Sequence, residues 1–154
     1  FNLVINLITK IIDENKPQVY LLTPVISYLN KNLINLSADY KVVQVVQSWD
    51  SSGYIINRKT AKKLIYANSK AWFIADDWVR YRRHANVDIF SVIPTIIRQN
   101  LNVFESNLMG ARSKAIKNRS LKYVFSRLGY KIIADVKKYC WLIPFKGYVR
   151  NKDV

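Results

Sequence analysis

Two adjacent carboxylates, Asp76 and Asp77, are the residues whose types and spacing point most directly to chemistry in this 154-residue chain. The pair is unusual because the chain has 25 Lys and Arg but only 10 Asp and Glu. Carboxylate oxygens bind hard divalent cations such as Mg²⁺ or Mn²⁺, and a carboxylate beside an acceptor hydroxyl can take its proton. Such a pair is also typical of a helix N-terminus, where free backbone N–H groups need acceptors. Spacing alone leaves both interpretations open.

Basic and aromatic residues flank the two acids. The basic residues are Arg80, Arg82, Arg83 and His84, and the aromatic ones are Trp72, Phe73 and Trp78. The basic group could neutralise a phosphorylated ligand, or it could form a solvated helix face. The aromatic rings could stack on a sugar or a base, although aromatic side chains are more often part of a core.

The composition predicts one folded domain with a polarised charge. Half of the residues are hydrophobic and 13% are aromatic, which argues against disorder. The net charge of +15 is zero over residues 1–50, +6 over 51–100 and +9 over 101–154. A charge of this kind attracts polyanions, namely nucleic acid, an anionic bilayer or phosphorylated substrates.

Single occurrences of cysteine and histidine limit the metal and redox chemistry. Cys140 is the only cysteine and His84 the only histidine, so no intramolecular disulfide, thiolate cluster or histidine-rich metal site is expected. This usage fits a reducing, cytoplasmic setting. No apolar run reaches about 18 residues, so no membrane-spanning helix is expected. The chain begins at Phe1 inside a helical pattern, which predicts further N-terminal sequence.

Alternating strand and helix patterns predict an α/β layered fold. Apolar, β-branched runs predict buried strands at Val19–Leu22, Val42–Val46, Gly53–Ile56 and Ile89–Ile93. Helical spacing predicts helices over 1–12, over 24–36 beginning at Pro24, and over 58–68 capped by Asn57. A short helix over 75–84 is predicted to carry the two acids in its first turn.

The C-terminal part of the chain is strongly basic. From Gly110 to Val154 there are twelve Lys or Arg and two Asp, a net charge of +10. Residues 120–145 show an amphipathic helical pattern with aromatic side chains, which suits an anionic membrane surface. The same segment could contact nucleic acid backbones. No zinc-finger spacing and no RNP-like stretch is present, so the membrane is favoured and nucleic acid is not expected.

The order of four short stretches resembles bacterial glycosyltransferase family 25, which contains lipopolysaccharide and lipooligosaccharide glycosyltransferases. The stretches are "SSGYIINRKTAKKLI", "ADDW", "IFSVIPTIIRQ" and "ESNL", and "ITKIIDENKPQVYLLTPV" is similar to an N-terminal segment of that family. The resemblance covers residues 8–108. It implies a partial nucleotide-sugar-transferase (GT-A-like) domain over residues 1–108, followed by a basic helical tail over 109–154.

The resemblance also implies a function. A hexose such as galactose would pass from a sugar nucleotide to the lipopolysaccharide core, with Mn²⁺ or Mg²⁺, on the inner face of the bacterial inner membrane. It implies Asp76 and Asp77 as catalytic carboxylates. It implies as substrate-binding residues Tyr54, Arg58, Trp78, Arg80, Arg83, Gln99, Ser106 and Asn107.

One departure from the family concerns the donor side. The family's Glu-Asp-Asp motif, expected to hold the cation and the diphosphate, falls where this chain has Leu22, Thr23, Pro24 and Val25. No metal ligand is therefore assigned, and we expect weak or absent Mn²⁺-dependent sugar-nucleotide binding. The open alternatives are a truncated or inactive transferase, a non-catalytic acceptor- or membrane-binding module, and a basic nucleic-acid-binding protein.

Overall fold

The computed structural model describes residues 2–69, 74–98, 121–143 and 147–151. The chain divides into two compact units. The first unit is Phe1–Arg98 with Gly147–Val154, and the second is Gln99–Lys146. The domain boundary predicted at residues 108 and 109 lies outside the described residues.

The first unit alternates helices and strands, so the predicted α/β class is confirmed. Its elements, in chain order, are α1 (Asn2–Ile11), β1 (Gln18–Leu21), β2 (Ser27–Tyr28), β3 (Ile34–Asn35), β4 (Lys41–Gln47), β5 (Tyr54–Ile56), α2 (Arg58–Ala67), α3 (Trp78–Ala85), β6 (Asp88–Ile93) and β7 (Val149–Arg150). The second unit contains α4 (Leu121–Leu142), within the segment where the amphipathic pattern predicts a helix.

The strands form one mixed sheet in the order β5-β1-β6-β4-β2-β7, with β3 paired to β4. β1 and β6 are parallel, while β5 runs antiparallel to β1 and β4 antiparallel to β6. Because Tyr54 lies opposite Leu21, β5 begins where β1 ends. We call this side of the sheet, where β1 and β6 end and β4 and β5 begin, the carboxyl edge. Open α/β sheets bind ligands at such an edge.

Side chains of β1 alternate between two cores. Val19 and Leu21 pack in one cluster with residues of α2 and α3, including Trp78. Tyr20 and Leu22 point to the other face and pack with residues of α1. The sheet therefore lies between α1 and the α2–α3 pair. Each aliphatic side chain buried in this way contributes about 1.5–3 kcal/mol relative to exposure.

Asn57 attaches the start of α2 to the loop before β1. Its Oδ1 accepts a hydrogen bond from the backbone N of Thr60 at 2.8 Å, which confirms the predicted helix cap. Its Nδ2 donates to the carbonyl oxygens of Asp13 at 2.8 Å and Lys16 at 2.6 Å. This end of α2 therefore lies at the edge opposite the carboxyl edge.

The helix predicted over residues 24–36 is wrong, because this segment is extended and carries β2 and β3. Its buried residues are Val25, Ser27 and Leu29, which alternate as in a strand. The backbone N–H groups of Ile26 and Leu29 donate to β4 carbonyls at 3.0 and 2.9 Å. Pairing with β4 thus overrides the helical spacing of the apolar residues.

The remaining strand predictions are confirmed as β1, β4, β5 and β6, and the predicted first helix as α1. Within the part of the chain that the structure describes, no helix is both long and apolar enough to cross a bilayer.

Candidate functional site

The two acids lie in the turn that leads into α3. The turn is closed by hydrogen bonds from the Asp77 N to the Ile74 carbonyl at 3.1 Å and from the Trp78 N to the Asp76 carbonyl at 3.0 Å. The predicted placement of both acids in the first helical turn is wrong. Asp77 is the N-cap, with a non-helical backbone, and Asp76 precedes the helix.

Asp77 uses its carboxylate to hold α3. Its Oδ1 accepts from the backbone N of Arg80 at 3.3 Å, and its Oδ2 lies 2.9 Å from the Nε of Arg80. Burial raises the pKa of Asp77 above its ordinary value of 3.8, although Arg80 and Arg83 act in the opposite direction. Asp77 therefore has a structural role as a cap that is partly neutralised by Arg80.

Asp76 has a carboxylate oxygen that is not engaged in this way. The side chain is half-buried, and its Oδ1 is buried without a hydrogen-bond partner in the described residues. Leaving a buried acceptor unsatisfied costs about 1–3 kcal/mol, so such groups are rare unless they serve a ligand, an ion or a water. Of the two acids, Asp76 is the one with a side-chain oxygen that has no hydrogen-bond partner in the described residues.

The backbone of Asp50 connects α3 to the carboxyl edge. The Trp78 Nε1 donates to the Asp50 carbonyl at 2.8 Å, and the Oγ1 of buried Thr23 lies 3.5 Å from the same oxygen. The Oδ1 of Asp50 accepts from the N and Oγ of Ser52 at 2.8 and 2.6 Å. The start of α3, the end of β1 and the turn before β5 are thus joined at one place.

An aromatic cavity of about 310 Å³ opens beside Trp78. Its lining includes Ser51, Tyr54, Asn68, Ala75, Trp78 and Tyr81. The rings of Tyr54 and Trp78 meet edge to face, with centroids 5.2 Å apart, and Tyr54 is 44% exposed. Small-ligand sites share this combination of apolar walls and a few polar groups, and the volume is at the small end of about 300–1,000 Å³.

Ala75 and Trp78 stand on either side of the two acids in the chain, and both line this cavity. Asn68 closes one side of it, because its Nδ2 donates to the Tyr81 hydroxyl at 2.7 Å. The cavity and the partnerless oxygen of Asp76 therefore belong to the same short stretch of chain.

The structure brings together only some of the residues predicted from sequence. Tyr54 and Trp78 are in contact, and Arg80 lies on Asp77. Arg58 is exposed at the start of α2, at the edge opposite the carboxyl edge, because β5 runs away from Tyr54. The predicted residues Trp72, Phe73, Gln99, Ser106 and Asn107 lie outside the described residues.

Sequence reasoning missed Asp50 and Asn68. The signal for Asp50 was present in "WDSSG", a polar, turn-forming run directly before a strand. Asn68 gave no such signal, since an Asn at the end of a helix is ordinary. In the described parts of the chain, no group of three or more His, Cys, Asp or Glu could hold a metal ion.

A second cavity, of about 730 Å³, lies between α2 and α3. Its lining includes Lys62, Tyr66 and His84, so it is basic and partly aromatic. Lys63 also lines it, but its Nζ donates to the carbonyls of Ala85 and Asn86 at 2.9 and 3.2 Å, where it caps the end of α3. Neither acid is among the described residues that line either cavity.

Arg82 secures α3 to the sheet. Its Nη1 donates to the Val45 carbonyl at 2.6 Å and its Nη2 to the Val46 carbonyl at 3.1 Å. Burial lowers the pKa of Arg82 to about 10, and nearby Arg83 acts in the same direction. This arginine of the basic run therefore faces the sheet.

The fold is that of an α/β protein with an aromatic cavity at the carboxyl edge of its sheet and two acids in the adjoining turn of the chain. Comparisons of the chain with protein-family models, with curated proteins and with solved structures find no match.

Proposed function

We propose that this chain is the acceptor-binding part of a glycosyltransferase with a GT-A-like fold, of the family 25 kind. The observation that carries the proposal is the buried Oδ1 of Asp76, which has no hydrogen-bond partner in the described residues. In the chain, Asp76 lies between Ala75 and Trp78, and both of these residues line the aromatic cavity that Tyr54 also lines. Aromatic faces pack on the apolar face of a sugar ring, and a carboxylate accepts hydrogen bonds from its hydroxyls. An aromatic cavity with a carboxylate in the adjoining turn of the chain suits one saccharide unit.

The chemistry assigned to Asp76 is that of a general base. The acceptor hydroxyl oxygen would attack the anomeric carbon of the donor sugar, and the bond from that carbon to the diphosphate would break. The hydroxyl proton would pass to the Asp76 carboxylate. A positioned base of this kind accelerates a reaction by about 10²–10⁴-fold.

The divalent cation implied by the family resemblance does not fit the described residues. Thr23, fully buried at the end of β1, stands where an acidic ligand is expected, and no three-carboxylate group is present in the described ranges. The proposal therefore assigns the acceptor side alone to these residues. We expect UDP-galactose with Mn²⁺ to bind weakly or not at all, and micromolar affinity in calorimetry would contradict this.

The acceptor proposed is the core of lipopolysaccharide or lipooligosaccharide, and the donor sugar is a hexose such as galactose. The net charge of +15 supports an acceptor that carries phosphates. The proposed location is the cytoplasmic face of the bacterial inner membrane, with the protein bound peripherally.

The test is a calorimetric titration of lipopolysaccharide core oligosaccharide into the chain. Asp76→Asn should weaken binding by about tenfold or more, the loss expected for one hydrogen bond to a charged group. Tyr54→Ala should weaken it by about tenfold, because the ring that packs on the sugar is lost. Asp88→Asn is the matched control. Asp88 is also half-buried but starts β6 at the opposite edge, so its substitution should leave binding unchanged.

Two results would overturn the proposal. One is binding that both site variants leave unchanged. The other is tight, steeply salt-dependent binding of single- or double-stranded nucleic acid without any saccharide binding. That second outcome would favour the alternative of a basic nucleic-acid-binding protein.

A further inference from the structure

Helix α4 carries a continuous stripe of exposed apolar side chains. Leu128, Ile132, Val136 and Tyr139 are 53%, 57%, 56% and 63% exposed, and Ile143, just past the helix, is 73% exposed. The spacings of four, four, three and four residues place all five on one face. Water is an unfavourable environment for such a stripe, since each aliphatic side chain gains about 1.5–3 kcal/mol from burial.

Two lysines lie along one side of this apolar stripe, and a third lies on the opposite face of the helix. At 3.6 residues per turn, Lys131 and Lys138 fall on one flank, with Asp135 between them and the stripe, and Lys137 falls on the opposite face of the helix. Five Lys or Arg and one Asp give residues 121–142 a net charge of +4. An apolar face on a helix with a net positive charge is typical of helices that lie in a membrane interface.

We propose that α4 binds an anionic bilayer in the plane of its surface. The apolar stripe would enter the boundary between headgroups and acyl chains, and the lysines would extend to the lipid phosphates. The inference does not depend on the saccharide site, because it concerns a different unit of the chain.

The positive charge of α4 favours an anionic bilayer over the other partners that could cover the apolar stripe. A second copy of the helix would bring two segments of charge +4 together, and like charges at close range repel. Nucleic acid would neutralise the lysines but would leave Ile132, Val136 and Ile143 in water. An anionic bilayer satisfies both the lysines and the apolar stripe.

The contribution of charge to membrane binding is tested by sedimentation of the chain with vesicles. Vesicles of equal parts phosphatidylcholine and phosphatidylglycerol should bind it, less strongly as salt is added, and pure phosphatidylcholine vesicles should not. Each lysine near such a surface contributes about 1 kcal/mol, so Lys131→Gln with Lys138→Gln should weaken binding by about thirtyfold. The control, Lys10→Gln with Lys31→Gln, removes the same charge from the first unit and should leave binding within about threefold of the parent.

The contribution of the apolar stripe to vesicle binding is tested with the double variant Ile132→Ser with Val136→Ser. Binding should fall by about a hundredfold, because two aliphatic side chains no longer enter the bilayer. The midpoint of urea unfolding should stay unchanged, because both side chains are exposed in the chain itself. Leu3→Ser with Leu33→Ser removes two exposed apolar residues from the first unit and is the matched control.

Three results would overturn the inference. The first is vesicle binding that neither the lysine double variant nor the serine double variant of α4 weakens. The second is vesicle binding that the lysine double variant weakens but the serine double variant leaves unchanged. The third is a dimer in light scattering that the serine variants dissociate, without vesicle binding by the parent chain. That result would assign the stripe to a second copy.

Discussion

The indole N–H of Trp78 donates a hydrogen bond to the backbone carbonyl of Asp50, 2.8 Å away and 28 residues earlier in the chain. Asp50 opens the turn that leads into β5, and Trp78 is the first residue of α3. The bond therefore connects the strand that carries Tyr54 with the helix that follows Asp76. This bond, together with the contact between the Tyr54 and Trp78 rings, holds the geometry of the candidate site.

Trp78→Phe should destabilise the first unit by about 2 kcal/mol. The substitution removes the donor to Asp50 and leaves unfilled space in the core, because Trp78 is only 2% exposed. Urea unfolding followed by circular dichroism measures the loss. Trp49→Phe is the matched control, because Trp49 is 46% exposed and should change stability by no more than about 0.5 kcal/mol. Equal effects of the two substitutions would show that the bond to Asp50 is not important for stability.

Substitution of Asp77 should lower stability, whereas substitution of Asp76 should not. Asp77→Ala removes the cap of α3 and the partner of Arg80, so the free energy of unfolding should fall by about 1–2 kcal/mol. Asp76→Asn removes the charge from a carboxylate with a buried, partnerless oxygen, so stability should stay the same or rise. A loss in Asp76→Asn as large as that in Asp77→Ala would show a structural role for Asp76. In that case its assignment to ligand binding fails.

Local signals in the sequence were sufficient for much of the fold. β1, β4, β5 and β6 were predicted because β-branched runs are bounded by turn-forming residues. The cap of α2 was predicted because Asn57 directly precedes a helical pattern. In the segment 24–36, helical spacing and strand alternation were both present. The choice between them depended on pairing with β4, which is a contact distant in sequence.

The site was predictable only in part. Adjacent acids are visible in the sequence, but their division of roles depends on where the helix begins: α3 begins at Trp78, three residues after the predicted start at Ala75. The separation of Arg58 from Tyr54 follows from the direction of β5, which runs between them towards the opposite edge. The bond from Trp78 to Asp50 has no local signature, because it forms only when the two segments meet in the folded chain.

Alkaline pH should destabilise the chain through Tyr20. The ring is 2% exposed and stacks on Phe90 with centroids 5.2 Å apart. Burial, with smaller effects of Asp13 and Asp88, raises the pKa of Tyr20 from 10.0 to about 12. The folded chain therefore holds this proton more tightly than the unfolded chain. Its contribution to stability is fully present below pH 10 and is lost as the pH rises through 12.

The measurement is the free energy of unfolding of the parent chain minus that of Tyr20→Phe. The difference should be constant below pH 10 and should fall by on the order of 2 kcal/mol between pH 10 and 12. Other titrating groups contribute equally to both proteins and cancel. A difference that stays level up to pH 12 would contradict the prediction.

Alanine should be tolerated in place of Gly53 only if the side chain of Ile97 is shortened. A Cβ added at Gly53 would lie 2.5 Å from the Cδ1 of Ile97. The backbones of both residues are held by Leu22, whose N donates to the Gly53 carbonyl at 3.0 Å and whose carbonyl accepts from the Ile97 N at 2.9 Å. Gly53→Ala should therefore push against the Ile97 side chain and lower the free energy of unfolding by about 1–2 kcal/mol.

Ile97→Val deletes the methyl group that the new Cβ would meet, and it makes a double-mutant cycle possible. Alone, Ile97→Val should cost about 0.5 kcal/mol, because the side chain is half-buried. In the double variant the two costs should not add, and the coupling should be about 1 kcal/mol in favour of the pair. Additive costs would mean that the Ile97 side chain can adopt another rotamer at no cost. Close contact with Ile97 would then not explain why a glycine precedes Tyr54.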